Sequence, residues 1–179
     1  MHPARRWLLV LNVLGGLAVL GSYAWGIAAN PETRGQVWGG VPDSLRPLYT
    51  TSMLLAAAGY FAFSPFVFFR LDPERTRIAG GLGFGAFPLL YALVLIPSAL
   101  WMPLTFAMLD APSAALWAAI RTVLALVGIG SLGLVAAVAT AQPPDAAPLA
   151  RAVAVVGALA FSFQTAILDA LVWPAYFPR

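Results

Sequence analysis

Five long apolar runs constrain this chain more than any other feature of its sequence. The hydrocarbon core of a bilayer is about 30 Å thick, so a helix that spans it needs about 20 mainly apolar residues. Runs of that length lie at residues 7–29, 48–69, 78–102, 114–141 and 148–173. They do not alternate in polarity as barrel strands do, and helices satisfy their own backbone in lipid. The sequence therefore predicts an all-α integral membrane protein, a compact bundle of five transmembrane helices in one domain over residues 1–179.

Composition excludes most other classes. Of the 179 residues, 61% are hydrophobic and 9% are charged, whereas a soluble domain carries about 25% charged residues. A soluble enzyme and a disordered chain are therefore excluded. The absence of cysteine excludes disulfides and thiolate metal sites, and the single histidine, His2, has no visible partners. The ten basic residues are all arginines scattered between the apolar runs, which argues against a nucleic-acid partner despite the net charge of +3.

The arginines also predict an orientation. With a cytoplasmic N-terminus, the inner side carries Arg5, Arg6, Arg70, Arg75, Arg77 and Arg151, and the outer side carries Arg34, Arg46 and Arg179. The positive-inside rule favours this arrangement, with the C-terminus outside. We expect the bacterial inner membrane. The first run is longer than the apolar region of about 7–15 residues in a signal peptide, so we interpret it as a retained anchor.

The connections between the runs differ in length. The first, residues 30–47, is the longest and is rich in proline and glycine, which is typical of a lid or binding loop. The others, at 70–77, 107–113 and 142–147, are short. Short links predict that sequential helices are antiparallel neighbours.

A glycine motif within the fourth run has a structural interpretation. Gly128-Ile-Gly130-Ser-Leu-Gly133 matches G-x-G-x-x-G, but a dinucleotide site requires a strand before the motif and a helix start within it. Small residues in apolar helices more often mark helix contacts. The same interpretation is extended to Gly15, Gly16, Gly21, Gly80, Gly81, Gly83 and Gly85.

Two charges lie inside the apolar runs. Arg121 is seven residues into the fourth run and Asp169 five residues before Pro174, so helix rise places both about 8–10 Å from the same end. Charges within a span usually face the interior or a cavity. Three interpretations remain open: an ion pair that braces two helices, a pair that also borders a ligand pocket, or an Arg121 that snorkels to the surface while Asp169 is solvated.

Aromatic residues concentrate toward that same end. They are Trp25, Trp38, Trp101, Phe106, Trp117, Trp173, Tyr176 and Phe177. An interfacial belt accounts for Trp173 and Tyr176, and for Trp7 at the other end. Trp101 differs because Pro97 and Pro103 flank it, and prolines there predict a partly broken helix beside a cavity. The pattern favours a pocket for a flat apolar ligand.

The layout and one stretch of sequence resemble a known family. Five helices, a long first loop, and Leu100-Trp-Met-Pro-Leu-Thr-Phe-Ala-Met108 at the end of the third run are similar to the TspO/translocator-protein family, which carries a W-x-P-x-x-F-like stretch there. The first loop departs from the family because Arg46-Pro47 stands where a lysine–proline step is usual. The chain therefore resembles a divergent member.

The resemblance implies an often dimeric membrane protein that binds tetrapyrroles, such as porphyrin or haem, or sterol-like ligands. Trp101, Pro103 and Phe106 would then line the pocket, and no cofactor would be required. The residues themselves add Trp38, Tyr49, Trp117, Arg121 and Asp169 as candidates, since a guanidinium suits a ligand carboxylate. The role would be sensory, regulatory or transport.

Two other functions remain open. One is a small structural or assembly subunit of a larger membrane complex, which would bury its small-residue faces against partners. The other is a membrane enzyme that acts on a lipid or pigment, with Asp169 or Asp110 as an acid or base.

Overall fold

Five long helices run back and forth through the molecule. The computed structural model describes residues 1–142 and 148–177. The helices are α1 (Pro3–Ala29), α2 (Arg46–Pro65), α3 (Ala86–Asp110), α4 (Ala114–Thr140) and α5 (Pro148–Ser162). Wide π-helical segments extend α2 through Phe66–Arg70 and α5 through Phe163–Val172, and a short helix, α6 (Trp173–Tyr176), follows.

The helical prediction is confirmed at this level. In the part of the chain that the structure describes, five helices are long and apolar enough to cross a membrane. Within residues 1–142 and 148–177, pairing of the strand type is limited to isolated bridges from Arg77 to Gly83 and to Gln142. Of the predicted features, Arg179 and residues 143–147 of the last connection lie outside the described residues.

The bounds predicted for the third run are wrong. The run was placed at 78–102, whereas α3 is Ala86–Asp110, eight residues later at both ends. The preceding segment cannot continue α3 as an α-helix because Gly80 and Gly81 have positive φ values of 75° and 79°. Pro97 and Pro103 lie inside α3, which continues through both, so the predicted break at Trp101 does not occur. Each proline removes one backbone hydrogen bond, and packing on both sides holds the helix together.

Helix packing follows the order α1–α3–α4–α5–α2. The predicted neighbours α3 and α4, and α4 and α5, do pack along each other. The expectation that every sequential pair is adjacent is wrong, because α1 packs along α3 and α2 packs along α5. The connections at both ends of α2 are longer than a tight hairpin, which lets α2 cross to the far side of the bundle.

Small residues allow the helices to approach closely. A Cβ atom on Gly59 of α2 would lie 2.2 Å from the carbonyl oxygen of Gly157 of α5, so the two backbones touch there. On α4, Gly128 faces Ala166, while Gly130 and Gly133 face α3. The G-x-G-x-x-G stretch is thus a helix contact, as its position within an apolar run predicted.

The same interpretation fails for several other glycines. Gly80 and Gly81 lie in the connection before α3, and a Cβ atom on either would meet nothing within 4 Å. Gly16, Gly21 and Gly85 are equally open. Gly15 is the exception, since a Cβ atom there would lie 2.9 Å from the Cβ of Leu95 in α3.

Two buried clusters fill the bundle. The larger one centres on Phe63 and Tyr91, whose rings meet those of Tyr60 and Phe161. Within it, the Tyr91 hydroxyl donates a hydrogen bond of 2.9 Å to the Ser64 hydroxyl. The second cluster lies at the end where α1, α3 and α5 finish and α2 and α4 begin, which we call the aromatic end.

Candidate functional site

The aromatic end gathers rings from α1, α2, α3 and α4, from the C-terminal segment that begins with α6, and from the first loop. We call this set the aromatic cluster. Its members are Tyr23, Trp38, Tyr49, Trp101, Trp117, Trp173 and Phe177. Five of the eight aromatic residues that the sequence placed at this end belong to the cluster, whereas Trp25, Phe106 and Tyr176 do not.

Trp101 and Trp173 form the middle of the aromatic cluster. The Trp101 ring lies 5.7 Å from the Tyr23 ring and 5.7 Å from the Trp173 ring, between centroids. Trp117 and Phe177 stack with centroids 5.6 Å apart and an interplanar angle of 13°. The rings thus form a continuous layer from α1 to α4, with the geometry that favours aromatic contact.

The first loop covers this layer. The Trp173 Nε1 donates a hydrogen bond of 2.9 Å to the carbonyl of Val37, and the Gly40 amide donates one of 2.8 Å to the carbonyl of Tyr176. Gly40 has to be glycine because a Cβ atom would lie 2.6 Å from that same carbonyl oxygen. The loop is therefore a fitted cover over the aromatic end, held mainly through the C-terminal segment.

Trp38 and Tyr49 join the loop to α2. Their rings meet edge to face at 6.2 Å, and the Arg46 guanidinium lies 5.8 Å from the centre of the Trp38 ring. The Tyr49 hydroxyl donates to the carbonyl of Leu168 at 3.1 Å. The loop, α2 and the end of α5 are thus connected through these two side chains.

A polar pair lies beneath the aromatic rings. Gln164 and Asp169 belong to the π-helical segment of α5, and the Gln164 Nε2 donates to the Asp169 Oδ1 at 2.7 Å. A π-helix closes its hydrogen bonds between residues five apart, so it brings these two side chains onto one face. In an α-helix, residues five apart point about 140° away from each other. The π segment therefore creates the pair.

Two tyrosine hydroxyls lie near this pair. The Asp169 carboxyl interacts electrostatically with the hydroxyls of Tyr23 and Tyr49. Two buried polar atoms nearby in the fold, the Trp101 Nε1 and the Gln164 Oε1, have no hydrogen-bond partner. Unpaired buried polar atoms are uncommon and call for a functional or structural reason.

The expected ion pair between Arg121 and Asp169 does not form. Within the described part of the chain, the one ion pair joins Arg46 to Asp43 at 2.9 Å. Arg121 is exposed on the outside of α4, whereas Asp169 turns inward to Gln164. The prediction used only the position of each residue along its helix. That position gives the depth of a side chain in the membrane but not the direction in which it points. Of the three interpretations, the exposed Arg121 agrees with the third, but Asp169 is paired rather than solvated.

Phe106 and Pro103 lie apart from the aromatic cluster. Phe106 is buried against α1, where a Cβ atom on Gly26 would lie 2.8 Å from its ring, and its ring meets that of Trp25. Pro103 is half-buried two residues after Trp101, about 200° around the helix. Of the three residues implied by the TspO-like stretch, Trp101 alone joins the central layer.

Three central residues were not predicted as site residues. Trp173 was assigned to an interfacial belt, but it is only 4% exposed. Tyr23 and Gln164 were overlooked, although a polar side chain within an apolar run is itself a signal. Trp7 and Tyr176 are exposed, in keeping with the belt interpretation.

The side chains at the aromatic end offer mainly apolar surface with a few polar groups. Across residues 1–142 and 148–177, no three His, Cys, Asp or Glu side chains form a group that could hold a metal ion. The aromatic cluster offers flat apolar surface, one carboxyl, one amide and one free indole N–H. Comparison with known proteins finds no matching family model, no matching curated protein and no matching solved structure.

Proposed function

We propose that this protein is an integral membrane protein that binds a flat, hydrophobic ligand at its aromatic end, with a sensory, regulatory or transport role. A tetrapyrrole or a sterol-like molecule has the required shape. The resemblance of residues 100–108 to the TspO/translocator-protein family supports the same ligand classes. The arginine distribution supports a cytoplasmic N-terminus and an external C-terminus.

One observation carries the proposal. Rings from α1, α2, α3, α4, α6 and the covering loop pack together at the end that also holds the Gln164–Asp169 pair, and two buried polar atoms there, the Trp101 Nε1 and the Gln164 Oε1, have no partner. An unsatisfied buried group costs about 1–3 kcal/mol, so a bound partner for these two atoms would be favourable. A ligand with a polar edge and a flat apolar body would satisfy them and replace ring contacts with its own.

Access to the site requires the cover to move. The backbone hydrogen bond from Gly40 to Tyr176 and the indole hydrogen bond from Trp173 to Val37 both join the loop to the C-terminal segment after α5. Releasing two such bonds costs about 1–3 kcal/mol, which thermal motion supplies readily. Opening also separates the buried Val41 from the second cluster, and it does not require the long helices to unfold.

The test is a titration of the purified protein in detergent with protoporphyrin, followed by the absorbance change of the pigment. Trp101→Ala should weaken binding, since losing an aromatic contact costs roughly 1–3 kcal/mol, or about 5- to 150-fold in affinity. Trp7→Ala is the matched control, because Trp7 is exposed at the opposite end of α1. Helix content measured by circular dichroism confirms that both variants fold.

The outcomes separate clearly. Saturable binding that Trp101→Ala weakens and Trp7→Ala leaves unchanged supports the proposal. If neither protoporphyrin nor a sterol-like probe binds saturably to the wild type, the proposal fails for both ligand classes. Conversion of the bound pigment to a product would instead favour a membrane enzyme.

A further inference from the structure

A second concave surface lies on the outside of the bundle, between α4 and the π-helical segment of α5. It is an open groove of about 670 Å³. Small residues form its floor, Ala125 and Gly128 from α4 and Ala166 and Ala170 from α5. Larger apolar side chains from both helices form its walls, and Leu132 marks its far end on α4.

Arg121 marks the other end of the groove. Its side chain is exposed, and it makes no ion pair or hydrogen bond with any residue that the structure describes. Arg121 lies seven residues into α4, about 10 Å along the helix from its start. None of the lining residues is acidic, and Asp169 is already held by Gln164 inside the bundle. A guanidinium at that depth in a membrane needs an anion from elsewhere.

We infer that this groove holds one acyl chain of an anionic phospholipid whose phosphate is bound by Arg121. The planar guanidinium matches two phosphate oxygens, which gives short, charge-assisted hydrogen bonds. The distance from Arg121 to Leu132 is eleven residues, or about 16 Å of helix. That length is comparable with one acyl chain, which extends over half of the roughly 30 Å hydrocarbon core, and the long Arg121 side chain reaches from its depth toward the headgroup level where a phosphate lies.

Charge favours a lipid over a second copy of this chain. In a symmetric dimer across the groove, two Arg121 side chains would enter one interface with no acidic residue on its walls. Like charges in such a place repel. An anionic lipid instead brings the missing negative charge, and it brings no cation of its own to compete with Arg121.

The test compares phosphatidylglycerol with phosphatidylcholine of identical acyl chains, added to protein purified in a neutral detergent. Bound lipids are counted by native mass spectrometry. The wild type should retain phosphatidylglycerol preferentially, and Arg121→Gln should lower its affinity about tenfold or more. Ala125→Trp should block both lipids by filling the groove.

Two matched variants serve as controls. Arg34→Gln removes an exposed arginine of the first loop at the same end, and Ala136→Trp adds the same bulk at an exposed position of α4 outside the groove. Both should bind lipid like the wild type. If Arg121→Gln does not fold, Arg121→Lys is measured instead, and it should bind phosphatidylglycerol more weakly than the wild type because the bidentate fork is lost.

Three results would overturn the inference. One is equal binding of phosphatidylglycerol by the wild type and the Arg121 variant. Another is tighter, Arg121-dependent binding of oleate, which would identify a free carboxylic acid as the occupant. The third is a dimer in the mass spectra that Ala125→Trp dissociates, which would assign the groove to a second copy of the chain.

Discussion

The pairing of Asp169 allows a direct test of how the aromatic end is built. Gln164→Leu leaves the Asp169 carboxyl without its amide donor, and Asp169→Leu leaves the amide without its acceptor. A hydrogen bond of 2.7 Å in this half-buried place should contribute about 1–3 kcal/mol. Each single variant should therefore lower the free energy of unfolding by about that amount.

The double variant isolates the interaction itself. Because Gln164→Leu and Asp169→Leu together remove both partners, the combined loss should be smaller than the sum of the single losses by about 1–3 kcal/mol. The corresponding cycle between Arg121→Leu and Asp169→Leu should be additive within about 0.5 kcal/mol, since these side chains do not meet.

The assay is unfolding in mixed micelles with increasing denaturing detergent, followed by tryptophan fluorescence. All variants share the same tryptophans, so one signal serves both cycles. A coupling of about 1 kcal/mol or more between Arg121 and Asp169 would show that the two side chains meet in the folded protein. Additive losses for Gln164 and Asp169 would refute the π-helical pairing described above.

Three further predictions concern packing, the loop and orientation. Gly59→Ala should destabilise the protein by about 1–3 kcal/mol, because its Cβ would collide with the Gly157 carbonyl; Gly21→Ala, which meets open space, should be neutral or stabilising in the same denaturation assay. Equal effects would contradict the close α2–α5 contact. Trp173→Phe removes the hydrogen bond to Val37 and should speed hydrogen exchange in the first loop, whereas unchanged exchange would show that the loop is held otherwise. A reporter fused to the C-terminus should lie outside the cytoplasm and one between α2 and α3 inside, and the reverse result would refute the arginine count.

The apolar runs determined the number and kind of elements. A segment of 20 or more apolar residues has few alternatives to a helix, so the five helices and most of their bounds follow from local sequence. Residues 78–85 are the exception, since they were predicted to begin the third helix but lie before it. Hydropathy carries no information on backbone conformation, so it could not show this. Gly80 and Gly81 are apolar enough to extend a run, yet their positive φ values end it.

The sequence could predict which aromatic residues lie near the aromatic end, but not how their rings pack there. Position along the chain shows that Trp101, Trp117 and Trp173 lie near one end of the bundle. It does not show that Trp173 is buried under the loop, because that depends on a hydrogen bond to Val37, 136 residues away in sequence. Burial of an aromatic ring is a property of its neighbours, and these come from other helices.

The sequence by itself determined that this chain is helical, apolar, and charged mainly at the ends of its helices. The tertiary structure determined which partner, if any, each charged side chain within the spans has. Helix periodicity places Arg121 and Asp169 at one height, but the π-helical turn rotates Asp169 onto Gln164, and the packing of α4 leaves Arg121 facing outward. In the π-helical segment, backbone hydrogen bonds join residues five apart instead of four. This change depends on how the whole helix packs, so no local pattern around Asp169 could have revealed it.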